Sequence, residues 1–462
     1  MRVSPGDTIA AISTALGPGA IAIVRLSGDG AIEVADAVFT GASLSDSPTH
    51  RVHHGRIHDL NGREVDEVLV TVLRSPHTYT TEDMVEFGCH GGAMPARRVL
   101  EVCLEAGARL ARRGEFTERA FLNGRLDLVQ AEAVADVVAA RTPRGLALAL
   151  GQLEGGLSAR LSSARGLILD LRAEVESLVD FADEDIGPRP REAITALARA
   201  ARDAIAALLS HCRFGIAVRE GVGVAIVGKP NVGKSSLMNA LLMRDRSIVT
   251  ALPGTTRDAI EECLHIEGVA MRLIDTAGWR VALDAAEEAG IARARSAAAG
   301  ADVVLMVVEA SGIDEEDCAI ARELEPGRTL VVINKTDAPG TAQEGEVGTR
   351  LFGGGAREAL GPARVSAVTG QGLDTLRAML LGATLGTEAE GPVSVSNVRH
   401  IDALRRADAA LARAERMLAG GEPPELIAVE AADASQALGE VTGETTPEDV
   451  LHRIFDRFCV GK

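Results

Sequence analysis

The chain has 462 residues, of which 46% are apolar and 25% charged, and its formal net charge is −18. This length allows several domains with their own cores, and the acidic balance argues against non-specific binding of polyanions. No apolar run is long enough to span a membrane, and the N-terminus lacks a signal pattern, so we expect a cytoplasmic protein with no membrane partner. The six cysteines have no Cys-x-x-Cys spacing and predict neither a zinc site nor a disulfide framework.

The first two predicted segments differ in their residue pattern. Residues 1–120 mix short apolar runs with turns; they predict strands at 20–28 and 64–75 and a helix at 91–111, which is an α+β pattern. From 121 to 215, Ala, Leu, Glu and Arg dominate, and apolar residues recur at three- and four-residue spacing. That spacing predicts long amphipathic helices.

The second half of the chain changes pattern twice more. Residues 216–385 contain five apolar, β-branched runs, each followed by a loop or helix pattern, which is typical of a parallel sheet with helices on both faces. Helical patterns return over 386–462. The simplest arrangement inserts the α/β unit into a discontinuous all-α domain that is formed from both flanks. The predicted fold class is therefore multidomain, combining α+β, all-α and α/β parts.

A phosphate-binding loop is predicted at Gly228–Ser235, which fits GxxxxGK[ST], follows an apolar strand and opens a helix. In this setting, successive backbone N–H groups and the helix N-terminus bind phosphate. Lys234 can reach the β and γ phosphates, and Ser235 can ligate magnesium. The alternative is a glycine-rich turn without a ligand. Further motifs in the required order argue against that alternative.

These further motifs are typical of guanine-nucleotide switches. Thr255–Asp258 lies where a switch threonine completes a magnesium shell, and Asp275–Gly278 ends the next predicted strand near the γ phosphate. Asn334–Asp337 ends a later strand, and a carboxylate there accepts from N1–H and the exocyclic amine of guanine, which adenine cannot match. Ser366–Ala367 fits the loop that backs the guanine oxygen. The four motifs together predict a GTP site.

One expected catalytic residue is missing. Ras-like switches carry a glutamine soon after Gly278, but here the next residue is Trp279, the only tryptophan. Phosphoryl transfer needs neutralised charge and a positioned water, so two substitutes are open. The Asn231 amide and carbonyls of residues 250–256 could hold a monovalent cation, or a carboxylate could hold the water. Glu287 is the candidate carboxylate, although the sequence alone favours a solvated helix residue there.

Several stretches together resemble one known family. In the predicted nucleotide-binding segment they are GKPNVGKSSLMN, PGTTRD, DTAG with a hydrophobic next residue, and NKTD. Outside it they are DTIAAISTALGPGAIAIVRLSG, TYTTEDMVEFGCHGG, GEFTERAFLNGRLDLVQAEAVADVV and LGEVTGETTPEDVLHRIFDRFCVGK. These stretches resemble the tRNA-modification GTPases called MnmE, or TrmE, over nearly the whole chain. Trp279 departs from that pattern, since an aliphatic residue is commoner there.

The resemblance implies a fold and an activity. It implies an N-terminal α+β folate-binding domain that forms a homodimer, a discontinuous helical domain and an inserted Ras-like P-loop GTPase domain that dimerises around potassium. It also implies that a flavoprotein partner, MnmG, carries FAD and NADH. The two would install a carboxymethylaminomethyl-type group on C5 of the wobble uridine of certain tRNAs. A tetrahydrofolate derivative, in the 5,10-methylene or 5-formyl form, would supply the one-carbon unit, and GTP hydrolysis would drive a conformational change.

The resemblance also assigns expected roles to individual residues. Expected catalytic residues are Glu287, which would orient the water, Asn231 and Lys234. Expected magnesium ligands are Ser235 and Thr256, and expected potassium ligands are Asn231, Thr250, Leu252 and Thr255. Expected folate contacts are Arg25, Glu86, Arg125 and Lys462. The expected GTP-binding residues are Asn231, Val232, Gly233, Lys234, Ser235, Ser236, Thr250, Ala251, Leu252, Pro253, Gly254, Thr255, Thr256, Asp275, Thr276, Ala277, Gly278, Asn334, Lys335, Asp337, Ser366 and Ala367.

Three questions stay open at this point. Cys459 lies in the terminal motif, and its thiolate could attack C6 of uridine, but a packed contact residue beside the folate is the simpler interpretation. A switch GTPase that binds RNA without modifying it would carry the same GTP motifs, although a basic domain would then be expected. A scaffold whose GTPase cycle only gates a partner enzyme is the third interpretation.

Overall fold

The computed structural model describes residues 7–180, 191–243, 262–275, 295–339, 344–353, 360–385 and 394–462. Two compact units are formed, one by the described residues within 1–139, 150–198 and 409–462, the other by those within 140–149 and 199–408. No helix among the described residues is both long enough and apolar enough to cross a bilayer.

The bounds of the elements are as follows. The strands are β1 (Ile9–Ile12), β2 (Ile21–Ser27), β3 (Phe39–Thr40), β4 (Arg51–His58), β5 (Glu64–Leu73), β6 (Met84–His90), β7 (Arg109–Leu110), β8 (Val222–Val227), β9 (Glu262–Ile266), β10 (Val269–Asp275), β11 (Val303–Glu309), β12 (Thr329–Asn334) and β13 (Leu360–Arg364). The helices are α1 (Ala31–Val38), α2 (Ala93–Glu105), α3 (Glu115–Leu122), α4 (Leu128–Ala139), α5 (Pro143–Leu153), α6 (Gly156–Asp180), α7 (Arg191–Leu209), α8 (Cys212–Glu220), α9 (Lys234–Met243), α10 (Glu315–Arg322), α11 (Glu344–Phe352), α12 (Leu373–Leu385), α13 (Val398–Gly420), α14 (Pro424–Thr442) and α15 (Glu448–Phe455).

The first unit contains a seven-stranded sheet with strand order β3-β4-β5-β6-β2-β1-β7. Its neighbouring strands are antiparallel except for the parallel pair of β1 and β7. Val24, Leu26 and Phe87 of the central strands are fully buried and share one core with Val99 of α2. Alternating strand residues meet this core, as expected for a sheet with one covered face.

The prediction of one helix over 91–111 is wrong at its C-terminal end. Helix α2 stops at Glu105, and Gly107 has a φ of +116°. This φ lies outside the helical region and is one that glycine adopts more readily than other residues. Arg109 and Leu110 then leave the helix direction and pair with β1, where the Arg109 N–H donates to the Thr8 carbonyl at 2.9 Å. The glycine therefore converts the last predicted turn of helix into an edge strand.

The helices of the first unit come from both sides of the α/β segment. Helix α14 packs against α6 and α4, and α15 packs against α3. Phe455 and Phe458 near the C-terminus are buried with Leu128 of α4, and the rings of Phe455 and Phe458 lie 5.5 Å apart. Burial of apolar stripes from residues so far apart in sequence joins the flanks into one unit, as predicted for a discontinuous helical domain.

The second unit contains a six-stranded sheet with strand order β13-β12-β11-β8-β10-β9. It is parallel except that β9 and β10 form an antiparallel pair. Consecutive residues of β8 enter different cores: Val224 and Ile226 share one with α9 and α12, whereas Ala225 shares the other with α10 and α11. Helices therefore cover both faces, and the carboxyl ends of the parallel strands meet at one edge, where ligands bind in open α/β sheets.

Candidate functional site

The phosphate loop lies between β8 and α9 and depends on two glycines. A Cβ on Gly228 would lie 2.4 Å from the Val307 carbonyl oxygen, and a Cβ on Gly233 would lie 2.4 Å from Asn334 Nδ2. The φ angles of Gly228, Asn231 and Gly233 are +148°, +65° and +95°. The loop thus takes a left-handed course that keeps side chains away from its inner surface, so backbone N–H groups can approach an anion closely.

Lys234 opens α9 and is 8% exposed. Its ammonium group donates to the carbonyl oxygens of Gly228 at 2.9 Å and Lys229 at 2.8 Å. The positive charge is therefore held inside the loop, next to the N-terminus of a ten-residue helix. A buried cation at the positive end of a helix dipole makes this loop a strong site for phosphate. Ser235 and Ser236 follow on the first turn and are exposed.

Asn231 lies on the outer part of the same loop. Its side chain is exposed, and the hydrogen bonds among the described residues do not use its amide. Its left-handed backbone is a conformation that asparagine tolerates better than most residues. The amide oxygen is therefore open to an additional ligand.

Asn334 joins the two loops that a guanine nucleotide would touch. It ends β12 and is 1% exposed. Its Nδ2 donates to the Val232 carbonyl at 2.9 Å, and its Oδ1 accepts from the Ala367 N–H at 3.2 Å. One buried side chain thus ties the phosphate loop to the Ser366–Ala367 loop.

Asp337 is held as a hydrogen-bond acceptor by the Ser366–Ala367 loop. It is exposed, and the Ser366 hydroxyl donates to its Oδ1 at 2.6 Å. This hydrogen bond is the main reason that the pKa of Asp337 lies below its ordinary value. The carboxylate is therefore held ionised and oriented, with its second oxygen available to N–H donors of a base. Lys335, two residues earlier, has a left-handed backbone conformation, and its Nζ lies 3.3 Å from Oε2 of Glu309.

The remaining expected nucleotide contacts divide into two groups. Asp275 ends β10, paired in parallel register with Ile226 of β8, so its backbone lies at the same sheet edge as the phosphate loop. The others lie outside the described residues, as does Trp279: Thr250, Ala251, Leu252, Pro253, Gly254, Thr255, Thr256, Thr276, Ala277, Gly278 and Glu287. Their expected roles stay predictions.

Lys229 is a residue of the nucleotide site that the sequence did not single out. Its ammonium group lies 2.5 Å from Asp314 and 3.0 Å from the buried Asp317. These two carboxylates form the capping box of α10. The Asp-x-x-Asp spacing could have predicted the helix start, but the lysine partner lies 85 residues earlier, and no local pattern connects them.

The expected folate contacts meet in the first unit. Arg25 of β2 and Glu86 of β6 are directly paired across the sheet and form an ion pair at 2.7 Å. Arg25 also reaches the Gly461 carbonyl at 3.5 Å, which accepts from the Ser13 hydroxyl at 3.1 Å. The last residues of the chain are therefore seated beside Arg25, and Lys462 lies next to this contact.

Tyr79, the only tyrosine in the chain, lies close to two of these arginines. The guanidinium carbons of Arg25 and Arg125 lie 5.7 Å and 5.0 Å from its ring centroid, within the range of cation–π attraction. Arg125 also donates to the Tyr79 carbonyl at 2.5 Å, and the Tyr79 hydroxyl is 2.9 Å from the buried Thr117 hydroxyl. No local pattern in the sequence marks Tyr79 as part of a site.

Cys459 is the last of the predicted site residues. Its side chain is exposed, and its carbonyl accepts from the Gly114 N–H at 3.4 Å. It is thus close to the seated C-terminus without being packed in the core. The choice between a chemical and a contact role stays open.

A buried lysine in a glycine loop and an Asn-Lys-x-Asp loop backed by Ser-Ala define a GTP-binding P-loop protein. The chain belongs to the tRNA modification GTPase MnmE family. Residues 128–459 match the family model described as MnmE helical domain, and residues 8–125 match GTP-binding protein TrmE N-terminus.

Curated relatives agree with this assignment. The tRNA modification GTPase MnmE of Geobacter sulfurreducens is 46% identical, covering 99% of this chain and 99% of its own length. Those of Alkaliphilus metalliredigens and Chloroflexus aurantiacus are 42% and 44% identical, each over 99% of this chain and 99% and 100% of their own length. A solved G domain of the T. maritima FeoB iron transporter is 26% identical and covers 35% of this chain and 98% of its own, but its TM-score of 0.27 supports no conclusion.

Family membership bears out three predictions. The resemblance to MnmE is confirmed, as is the fold class of a TrmE-type N-terminal domain, a helical domain and a P-loop GTPase domain. The chain is a GTPase, which hydrolyses GTP to GDP and phosphate. The predicted four-part division at 120, 215 and 385 stays a prediction, as do the individual site roles.

Proposed function

We propose that the chain is a potassium-dependent GTPase which, with the flavoprotein MnmG, adds a carboxymethylaminomethyl-type group to C5 of the wobble uridine of certain tRNAs. A tetrahydrofolate derivative supplies the one-carbon unit, and FAD and NADH belong to the partner. The observation that carries the potassium part is the exposed amide of Asn231, which makes no hydrogen bond to the described residues and lies on a phosphate loop whose own cation, Lys234, is buried.

The donor set suits a monovalent cation. Asn231 would hold potassium together with the carbonyl oxygens of Thr250, Leu252 and Thr255, while Ser235 and Thr256 would ligate magnesium. Amide and carbonyl oxygens are neutral donors, which suit a weakly charged ion better than the carboxylates that divalent ions prefer. The bound potassium would supply the positive charge that an arginine finger supplies in other GTPases. Glu287 would orient the attacking water.

The potassium proposal is tested by phosphate release in matched potassium and sodium buffers. We expect turnover to collapse in sodium while GDP affinity is nearly unchanged, because GDP lacks the γ phosphate that the cation would neutralise. Glu287→Ala should retain GTP affinity and lose hydrolysis, and Glu316→Ala, an exposed glutamate of α10, is the matched control. Equal rates in both salts would remove the potassium role, and normal turnover of Glu287→Ala would remove the water-orienting role.

The folate part of the proposal is supported by the contacts around Arg25. The ion pair with Glu86 leaves the second carboxylate oxygen able to accept from a donor-rich pterin edge, while Arg125 and Lys462 offer positive charge for a glutamate tail. Among the described ion pairs, none involves Arg125, and its side chain is exposed. The residues that the family resemblance assigns to folate thus form one region with the right chemistry.

Calorimetry with 5-formyltetrahydrofolate tests this part. Arg125→Gln removes one charge-assisted hydrogen bond at an exposed position, so we expect an affinity loss of about tenfold without unfolding. Arg56→Gln, an exposed arginine of β4 paired with Glu64 at 2.9 Å, is the matched control and should bind normally. If the wild-type chain binds no reduced folate, this part of the proposal is wrong.

The partners remain part of the same proposal. We expect a homodimer through the N-terminal domain, a complex with MnmG, tRNA as substrate and a cytoplasmic location. A scaffold role is the second candidate. Transfer of a labelled one-carbon unit to tRNA, assayed with wild-type and Arg125→Gln chains beside MnmG, separates the two, because a scaffold that binds no folate would give equal transfer with both.

A further inference from the structure

An open cleft of about 550 Å³ is lined in part by Tyr79 and Arg125. This volume falls within the range of small-molecule sites. Its lining includes His50, His77, Tyr79 and Arg125, and none of the described residues that line it is acidic. In a chain with 66 Asp and Glu and a net charge of −18, a cleft that combines an arginine with two histidines and no carboxylate has the composition of an anion site.

The two arginines beside Tyr79 differ in their electrostatic state. Arg25 is 19% exposed and is neutralised by Glu86 at 2.7 Å. Arg125 is exposed, and its contacts among the described residues are the Tyr79 carbonyl and ring. Neither contact cancels its charge, so an uncompensated positive charge lines the cleft.

Tyr79 contacts both arginines. Its hydroxyl is fixed at 2.9 Å from Thr117, which is fully buried, so the ring has a defined orientation. The ring thus contacts Arg25 of the Arg25–Glu86 pair, which suits a pterin edge, and also lines the cleft, which suits anions. A ligand that used both regions would need a polar ring system at one end and a chain of negative groups at the other.

We propose that this cleft binds the γ-linked glutamate chain of a polyglutamylated reduced folate, with Arg125, His50 and His77 contacting its carboxylates. The inference rests on the proposed folate-binding function and adds to it a preference for the length of the tail. Each added glutamate brings one free carboxylate, which the two histidines can meet with N–H donors. The preference should weaken as salt rises, because the cleft is open to solvent.

The test compares 5-formyltetrahydrofolate carrying one and three glutamates, by calorimetry on the full chain. We expect the wild-type chain to bind the triglutamate about tenfold more tightly, the gain of one net charge-assisted hydrogen bond. The double variant His50→Asn, His77→Gln should lose most of this gain and keep its monoglutamate affinity. Asn is chosen at 50 because φ is +59° there, a conformation that asparagine tolerates. His54→Gln, an exposed histidine of β4 outside the cleft, should keep the gain.

A second readout uses the single tyrosine. In chains labelled with 3-fluorotyrosine, one ¹⁹F resonance reports on Tyr79, and the triglutamate should shift it further than the monoglutamate does. Equal affinities for both ligands in the wild-type chain would overturn the inference alone. Absence of binding by either would overturn the proposed folate function as well. Displacement of the triglutamate by a short RNA at equal concentration would assign the cleft to nucleic-acid phosphates instead and also overturn the inference.

Discussion

Replacing Asn334 by alanine tests whether one side chain holds the nucleotide loops together. The change removes the hydrogen bonds to the Val232 carbonyl and the Ala367 N–H at a position that is 1% exposed. Each bond is worth about 1 kcal/mol net, and leaving a buried group unpaired costs about 1–3 kcal/mol. We therefore expect the unit to lose about 2–4 kcal/mol of stability, since water can reach part of the opened site.

The measurement must separate this bridge from any contact with the base. In nucleotide-free protein no base is present, so hydrogen exchange of peptides covering residues 232 and 367 should accelerate in Asn334→Ala because of the lost bridge alone. With nucleotide, GDP affinity should fall by about tenfold to a hundredfold. The matched control is Asn239→Ala, an exposed asparagine of α9, whose GDP affinity should stay within about twofold. Unchanged exchange in nucleotide-free Asn334→Ala would refute the bridging role.

Three further predictions concern single groups. Burial raises the pKa of Glu115, but hydrogen bonds led by Arg109 lower it from 4.5 to about 2. The ionised Glu115 side chain thus stabilises the folded state by about 3 kcal/mol above pH 4.5, and this stabilisation is lost as pH falls toward 2. In Glu115→Gln, the free energy of unfolding measured in urea should therefore change less between pH 4.5 and pH 2 than it does in the wild-type chain. Asp337→Asn should weaken GTP binding and favour xanthosine triphosphate in a competition assay, because an amide N–H matches the xanthine carbonyl. In Gly461→Ala, the new Cβ would lie 2.4 Å from the Ile12 carbonyl oxygen and displace the C-terminal residues. We therefore expect folate affinity, measured by calorimetry, to fall by at least about tenfold and GTP hydrolysis to be unchanged.

The parts of the fold that local sequence chemistry determines were predictable. The pattern of apolar, β-branched runs anticipated β8, β11 and β12, whose residues are buried on both faces except Glu309 at the end of β11. The helical pattern predicted over 386–462 anticipated α13 and α14. The phosphate loop and Asn334–Asp337 were recognisable because their chemistry is concentrated in a few consecutive residues.

The parts that depend on irregular or distant contacts were not predictable. Strand β9 was missed because Glu262–Ile266 mixes polar and apolar residues, and it is held to β10 by a turn at Glu267 and Gly268, both with positive φ. The two-residue strand β7 is defined only by its pairing with β1. Tyr79 is 46 residues from Arg125, so its contact with two arginines follows from the folded sheet and from no spacing along the chain.

Gly233 and Asn334 belong to different motifs, but each restricts which residue can occupy the other position. The requirement for glycine at position 233 is usually explained by the close approach of phosphate. In this structure, however, the atom nearest to a Cβ added at Gly233 is Nδ2 of Asn334, at 2.4 Å. An amide is required at position 334 because the same Nδ2 donates a hydrogen bond to the Val232 carbonyl, which the left-handed loop turns inward. Neither residue can change alone: a side chain at 233 displaces the bridge, and loss of the bridge leaves a buried carbonyl unpaired. The two motifs, 102 residues apart, therefore act as one structural element before any nucleotide binds.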